Sequence, residues 1–240
     1  IKKKVKNLTW LKGPFYKNWK ELKKSDALVH LASTGVYDKH ASLEKCLKTN
    51  VFLSSKLLKN AIKSKCLNWI IVSSCTEKKI KSKKFVKKIL KGKKKIPYFN
   101  YALSKLLFTK ICLSASKNLG IKCRVLRLFH VYGRNEKKNR LWPSLIEAAK
   151  NNNDFKMTKG NQIRDFCHVE DVVKTMMETL NFKKRNKNFP QIWDFATGKE
   201  MSVKSFATKI WKKYKSKGKL IFNKLKHYDE TNYRADKKIL

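Results

Sequence analysis

At 240 residues and 42% hydrophobic, the chain is long enough for a sizeable core and too apolar for a disordered segment. Its formal charge of +42 is extreme, yet only seven of the 59 basic residues are Arg, the residue best suited to paired hydrogen bonds on phosphate or guanine. The lysines fill polar gaps along the whole chain, and no helix-turn-helix, zinc-finger or RNP-type pattern accompanies them. A Lys-rich solvated surface is therefore favoured over specific nucleic-acid recognition.

Six cysteines, at 46, 66, 75, 112, 123 and 167, form no CxxC pair, and several fall in apolar runs. They read as reduced, buried thiols rather than a disulfide frame or a zinc site, and no metal is expected. There is no run of about 18 apolar residues and no signal-peptide pattern, so a soluble, cytoplasmic protein without membrane contact is expected. The chain opens Ile-Lys-Lys-Lys without an initiator Met, which suggests a missing upstream portion.

In chain order, Val5 to Leu11 predicts a strand ending at Gly13-Pro14. A short helix follows around Trp19 and Leu22. Ala27 to Ala32, Trp69 to Ser74 and Cys123 to Phe129 are nearly continuous apolar runs of strand length. Continuous rather than alternating apolarity marks strands covered on both faces, as in a parallel sheet. Helical spacing over 41–64 and 100–118 separates them, which gives βαβ units with right-handed crossovers. The Lys-heavy stretch 77–95 reads as a surface loop with at most one short helix. Further on, the pattern predicts a helix over Leu141–Lys150 and short strands around Gly160. A helix from Val169 to Leu180, a basic loop over 183–188 and a strand at Gln191–Phe195 come next. Ser202 caps a helix reaching about Tyr214, and Leu220 to Phe222 forms a last strand. The fold class is α/β. It is a Rossmann-like doubly wound parallel sheet over 1–134, truncated at its N-terminus, with a smaller α+β part over 135–240. A segment near 190–215 is expected to return to the first sheet.

Tyr101-Ala-Leu-Ser-Lys105 opens the 100–118 helix, and the i, i+4 spacing puts phenol and ammonium on one face. A nearby ammonium lowers a Tyr pKa, which makes the phenol a usable acid and base. In so Lys-rich a chain the pair alone arises easily by chance. Its context decides. Ligands of open parallel sheets sit at the carboxyl ends of strands, and three polar signatures fall there. These are His30-Leu-Ala-Ser-Thr-Gly35, Ser73-Ser74-Cys75-Thr76 and His130-Val-Tyr-Gly133.

With Asn50, Gln162-Ile-Arg-Asp-Phe-Cys-His-Val-Glu-Asp171 and Tyr233-Arg-Ala-Asp236, these pieces stand in an order that resembles the extended short-chain dehydrogenase/reductase family. The likeness is to its NAD-dependent epimerase/dehydratases, which act on nucleotide sugars. The resemblance implies a catalytic set of Ser74, Tyr101 and Lys105. Tyr101 would be the base and acid on a sugar oxygen, Lys105 would lower its pKa and bond the nicotinamide ribose, and Ser74 would hold the same oxygen. Ser74 is preferred to Ser73 or Cys75 because it stands three positions before the family's V/E-Y-G triplet, here degenerated to Glu77-Lys78-Lys79. The resemblance places Leu31, Ala32, Ser33, Tyr101, Lys105, His130 and Val131 against NAD, with NADP left open. Ser74, His130, Arg164 and Arg234 would contact the nucleotide sugar, and Arg164 could instead pair with Asp165 or Asp171. His168 reads as a packing residue.

Relatives that are dehydratases carry Asp-Glu after the Ser, where this chain has Cys75-Thr76, so epimerase or reductase chemistry is favoured. The family's GxxGxxG turn, which cradles the cofactor pyrophosphate, is not in the sequence. The expectation is a fragment of such an enzyme, with homodimerisation through helices 41–64 and 100–118. The alternative is a non-catalytic remnant that binds polyanions or nucleic acid through its Lys-rich surface.

Overall fold

The computed structural model describes residues 7–38, 40–80, 98–182, 188–225 and 232–235. Strands β1 (Leu28–His30), β2 (Asn68–Ser74), β3 (Lys122–Leu128) and β7 (Gln191–Phe195) form one sheet in the order β1-β2-β3-β7. All three pairings are parallel, with Leu28 opposite Trp69, Trp69 opposite Cys123 and Val125 opposite Ile192. The fold is thus the α/β parallel sheet that the apolar runs predict.

Alternate strand residues point to opposite faces, which explains why these runs must be apolar throughout. Trp69, Ile71 and Val125 enter one cluster with Leu58, Phe108 and Cys112. Ile70, Leu126 and Phe195 enter another with Phe129, Cys167 and Val172. The first face is covered by α1 (Leu43–Leu47), α2 (Ser54–Lys63) and α4 (Phe99–Leu119). The second is covered by α6 (Val169–Thr179).

A second layer gathers on α5 (Leu141–Lys150) and α7 (Val203–Lys213), whose Leu145, Ala149, Ala207 and Trp211 pack with Met157. Strand β6 (Ile163–His168) lies between β4 (His130–Tyr132), parallel to it, and β8 (Glu200–Ser202), antiparallel. Strands β5 (Phe155–Lys156) and β9 (Leu220–Ile221) pair in parallel. Ser202 caps α7 by accepting the Ser205 N–H, as its position predicts.

Four expectations need correction. Residues 8–12, the described end of the predicted first strand, have no regular structure, and residues 1–6 lie outside the described residues. Between α1 and α2 the helix is not uniform, because Lys48–Leu53 winds as a π-helix. The 77–95 stretch is not surface at its start, for Glu77–Ile80 forms α3 and both Glu77 and Ile80 are buried. Residues 81–97 of that stretch, and 183–187 of the basic loop, lie outside the described residues. Strand β8 was not foreseen at all. All six cysteines are buried without a disulfide, and among the described residues no helix is long and apolar enough to cross a membrane.

Candidate active site

Three side chains of α4, one helical turn apart, join the helix to the carboxyl end of β2. The Tyr101 hydroxyl has the Ser74 and Ser33 side chains as neighbours that favour its ionised form. Lys105 donates from Nζ to the Val72 carbonyl at 2.6 Å. Thr109 donates to Glu77 Oε1 at 2.6 Å. Residues 101, 105 and 109 share one helix face, so the helix register delivers all three to the same strand.

Ser74 Oγ accepts from Thr76 Oγ1 at 2.9 Å and from Thr76 N–H at 3.2 Å. With both lone pairs used, its own proton remains available to donate. Ser73 instead turns to Glu77 and Thr109 on the helix side. The Cys75 thiol is buried, which pushes it up to about 12 and keeps it neutral.

The electrostatics differ from the simple expectation for a Tyr near a Lys. Burial dominates and pushes the Tyr101 phenol up to about 12, against the Ser74 and Ser33 side chains that favour the phenolate. Lys105, only 5% exposed, is pulled down to about 8 by burial, while Glu77 and Cys112 act in the opposite direction. Its ammonium sits on the Val72 carbonyl and is not the cause that moves the phenol.

The turn after β1 lies against this pair. Gly35 has φ of +87°, and a Cβ there would stand 2.8 Å from Cys46 Sγ and 3.3 Å from Tyr101 Cβ. Only Gly meets both conditions. Leu31 is 61% exposed, Ser33 is exposed and Ala32 partly so. The turn therefore presents an accessible edge beside the phenol.

Asn50 fixes that turn, a role the sequence did not reveal. Its Oδ1 accepts the Thr34 N–H at 2.8 Å, and its Nδ2 donates to the Thr34 carbonyl at 3.0 Å and to Ser104 Oγ at 2.9 Å. Ser104 in turn donates to the Tyr101 carbonyl. The side chain comes from the π-helical segment, and such insertions recur at functional sites. Asn50→Ala leaves buried polar groups of Thr34 and Ser104 without these bonds and is expected to cost about 1–3 kcal/mol. Urea unfolding of the two proteins measures it, and an unchanged midpoint would remove Asn50 from this role.

The remaining predicted contacts are not all gathered here. His130 and Val131 lie in β4, the His130 ring 5.7 Å from the Tyr233 ring. Arg164 is 6% exposed, with Nη1 donating to the Ile163 carbonyl and its guanidinium 5.0 Å from the Tyr233 ring. Asp165 serves another purpose, accepting from Thr197 N–H and Oγ1 and from Gly198 N–H. Arg234 has a side chain 68% exposed and lies 3.4 Å from Glu200. His168 caps α6 through Nδ1 and packs on Tyr132. Among the described residues no group of three or more His, Cys, Asp and Glu could hold a metal ion.

Residues 10–192 match the NAD dependent epimerase/dehydratase family. The chain belongs to this family. CDP-abequose synthase of Salmonella typhimurium is 30% identical over 180 residues, covering 75% of this chain and 56% of that relative. The chain thus spans about half the length of this curated family member. The UDP-glucose 4-epimerase of Thermotoga maritima, solved with UDP-glucose, superposes with a TM-score of 0.75 at 16% identity. That likeness covers 97% of this chain and 78% of the other. The UDP-N-acetylglucosamine 4-epimerase of Methanobrevibacter ruminantium, in complex with UDP-N-acetylmuramic acid, gives 0.73 at 21%, over 90% and 70% of the two chains. These structures share the fold.

The family's cofactor is NAD, and part of its seat fits the residues present. The Leu31–Ser33 edge is open, Ser33 neighbours the phenol, and Lys105 stands one helical turn from Tyr101 on the Val72 carbonyl. These suit the nicotinamide end. The glycine-rich turn for the pyrophosphate is not among the 240 residues.

Proposed function

We propose that the protein acts on a nucleotide sugar as an NAD-dependent epimerase or reductase, with Ser74, Tyr101 and Lys105 carrying the proton chemistry. The observation that supports this most is the convergence of the Ser74 and Tyr101 side chains at the carboxyl end of the parallel sheet. When bound, NAD+ would supply a hydride acceptor and a positive charge. Tyr101 as phenolate takes the proton of a sugar hydroxyl, and as phenol returns it to the keto oxygen. Ser74 holds that oxygen through its remaining proton. Lys105 contributes positive charge next to the developing phenolate. Leu31, Ala32 and Ser33, with the His130–Val131 backbone, flank the cofactor end of the site. Arg164 and Arg234 serve the nucleotide phosphates. Cys75 and Thr76 provide no ionised carboxylate beside Ser74, which favours epimerisation or reduction over dehydration.

The division at about residue 134 separates the cofactor side from the substrate side, with β7 returning to the first sheet. A homodimer through the two long helices would cover Phe52, Leu107 and Ile111, which are 66%, 40% and 40% exposed. Incubation of a panel of UDP-, CDP- and dTDP-sugars with NAD+ should yield epimerised sugar, or incubation of their keto forms with NADH should yield reduced sugar. If no sugar is converted and NAD(H) does not bind, the proposal fails.

The charge of +42 supports a second reading, that the basic surface binds polyanions. That reading predicts an affinity for DNA or RNA that falls steeply with log[salt]. A flat salt response rejects it.

A further inference from the structure

Behind the Tyr101–Lys105 pair lies a buried carboxylate that the proton chemistry above does not use. Glu77 is 1% exposed. The Ser73 hydroxyl and Thr109 Oγ1 both bond its Oε1, an arrangement suited to an ionised carboxylate, which only accepts. Thr109 stands one helical turn beyond Lys105 on α4, so the acid and the ammonium flank the same face of the helix. A buried charge without a compensating one is costly. Arg127, which also holds Asp194 at 2.6 Å, and Lys105 both favour the ionised Glu77, Arg127 the more strongly.

We propose that Glu77 is a positioning residue that holds Lys105 in its charged form from behind the site. The groups acting on Lys105 are the Val72 carbonyl, the Cys112 thiol and Glu77, and the neutral His30 ring lies within its field. Arg127 acts on Glu77 from β3. Of these, Glu77 is the carboxylate. Removing its charge lets burial pull the ammonium further down, so Lys105 loses its proton at a lower pH. The consequence for turnover rests on the catalytic role given to Lys105, whereas the coupling itself does not.

The test is a titration of the full chain carrying 13C at lysine Cε, with the Lys105 resonance assigned by its loss in Lys105→Arg. In Glu77→Gln the Lys105 midpoint is expected to fall by about one pH unit or more. Glu77→Asp keeps the charge and is expected to stay close to the unmodified protein. If Glu77→Gln does not fold, Glu77→Leu decides, because it removes the same charge and buries no polar group. An unchanged midpoint in folded Glu77→Gln, or in Glu77→Leu where that variant decides, overturns the proposal. The pH dependence of turnover is measured in parallel. A moved resonance with an unmoved activity profile supports the coupling and refutes the catalytic role of Lys105.

Discussion

Tyr101→Phe is expected to lower turnover of the nucleotide sugar by about 10²–10⁴-fold, the range supplied by a positioned acid or base. The substitution removes one oxygen and leaves the ring in its place on α4. Ser74 and Ser33 each lose the phenol as a neighbour, and even a full hydrogen bond is worth only about 0.5–1.5 kcal/mol net. The fold should therefore survive, with thermal unfolding only slightly earlier. Because the phenol acts on the reacting oxygen, kcat should fall far more than KM rises. Single-turnover kinetics with NAD+ and sugar measure this directly. Retained turnover in a folded Tyr101→Phe protein would remove Tyr101 from the chemistry, and the Ser74–Lys105 assignment with it.

The pH at which the phenol ionises bears on the same experiment. Burial holds Tyr101 at about 12 in the protein alone, so the phenol is protonated at neutral pH. Proton abstraction then requires added positive charge beside it. Lys105, at about 8, is largely charged at neutral pH, and that charge fades as pH rises past 8. Activity that depends on Lys105 should decline on the alkaline side accordingly.

Much of this was legible in the sequence, for identifiable reasons. The three strands were readable because burial on two faces requires residues such as Trp69, Ile70 and Ile71 to be apolar in succession. The meeting of Ser74 with Tyr101 followed from parallel topology, which brings strand ends and helix starts to one edge. What stayed hidden depends on contacts distant in the chain. The π-helical turn carries Asn50 to Thr34 and to Ser104, 54 positions away, and no apolar period records that. Strand β8 is the short Glu200-Met-Ser202, which pairs with β6 and carries no apolar run. Glu77 sits at the head of a Lys-rich run and reads as surface, yet Thr109 and Ser73 bury it. The Tyr–Lys spacing gave the right face but not the phenol's ionisation, because desolvation outweighed any nearby charge.

Acid destabilisation through His30 provides a second large expected effect. The His30 ring is 5% exposed, bonds Ser54 Oγ at 2.8 Å and packs between Phe15 and Phe108. Burial, with a smaller contribution from Lys105, lowers its pKa from 6.5 to about 4. The unfolded chain binds a proton near pH 6.5 and the folded chain only near 4, so the unfolded state is favoured as pH falls. This stability is fully present above pH 6.5 and is lost progressively from there down through pH 4. A difference of about 2.5 units corresponds to about 3 kcal/mol at most. Glu77 opposes it, because burial raises that carboxyl and the folded state then holds its proton more tightly as pH falls. The His30 contribution is therefore isolated by difference. Urea unfolding at pH 7.5, 6 and 4.5 should show a steeper loss for the unmodified protein than for His30→Leu, whose side chain cannot charge. Parallel losses in the two proteins would show that His30 is not held neutral in the folded state.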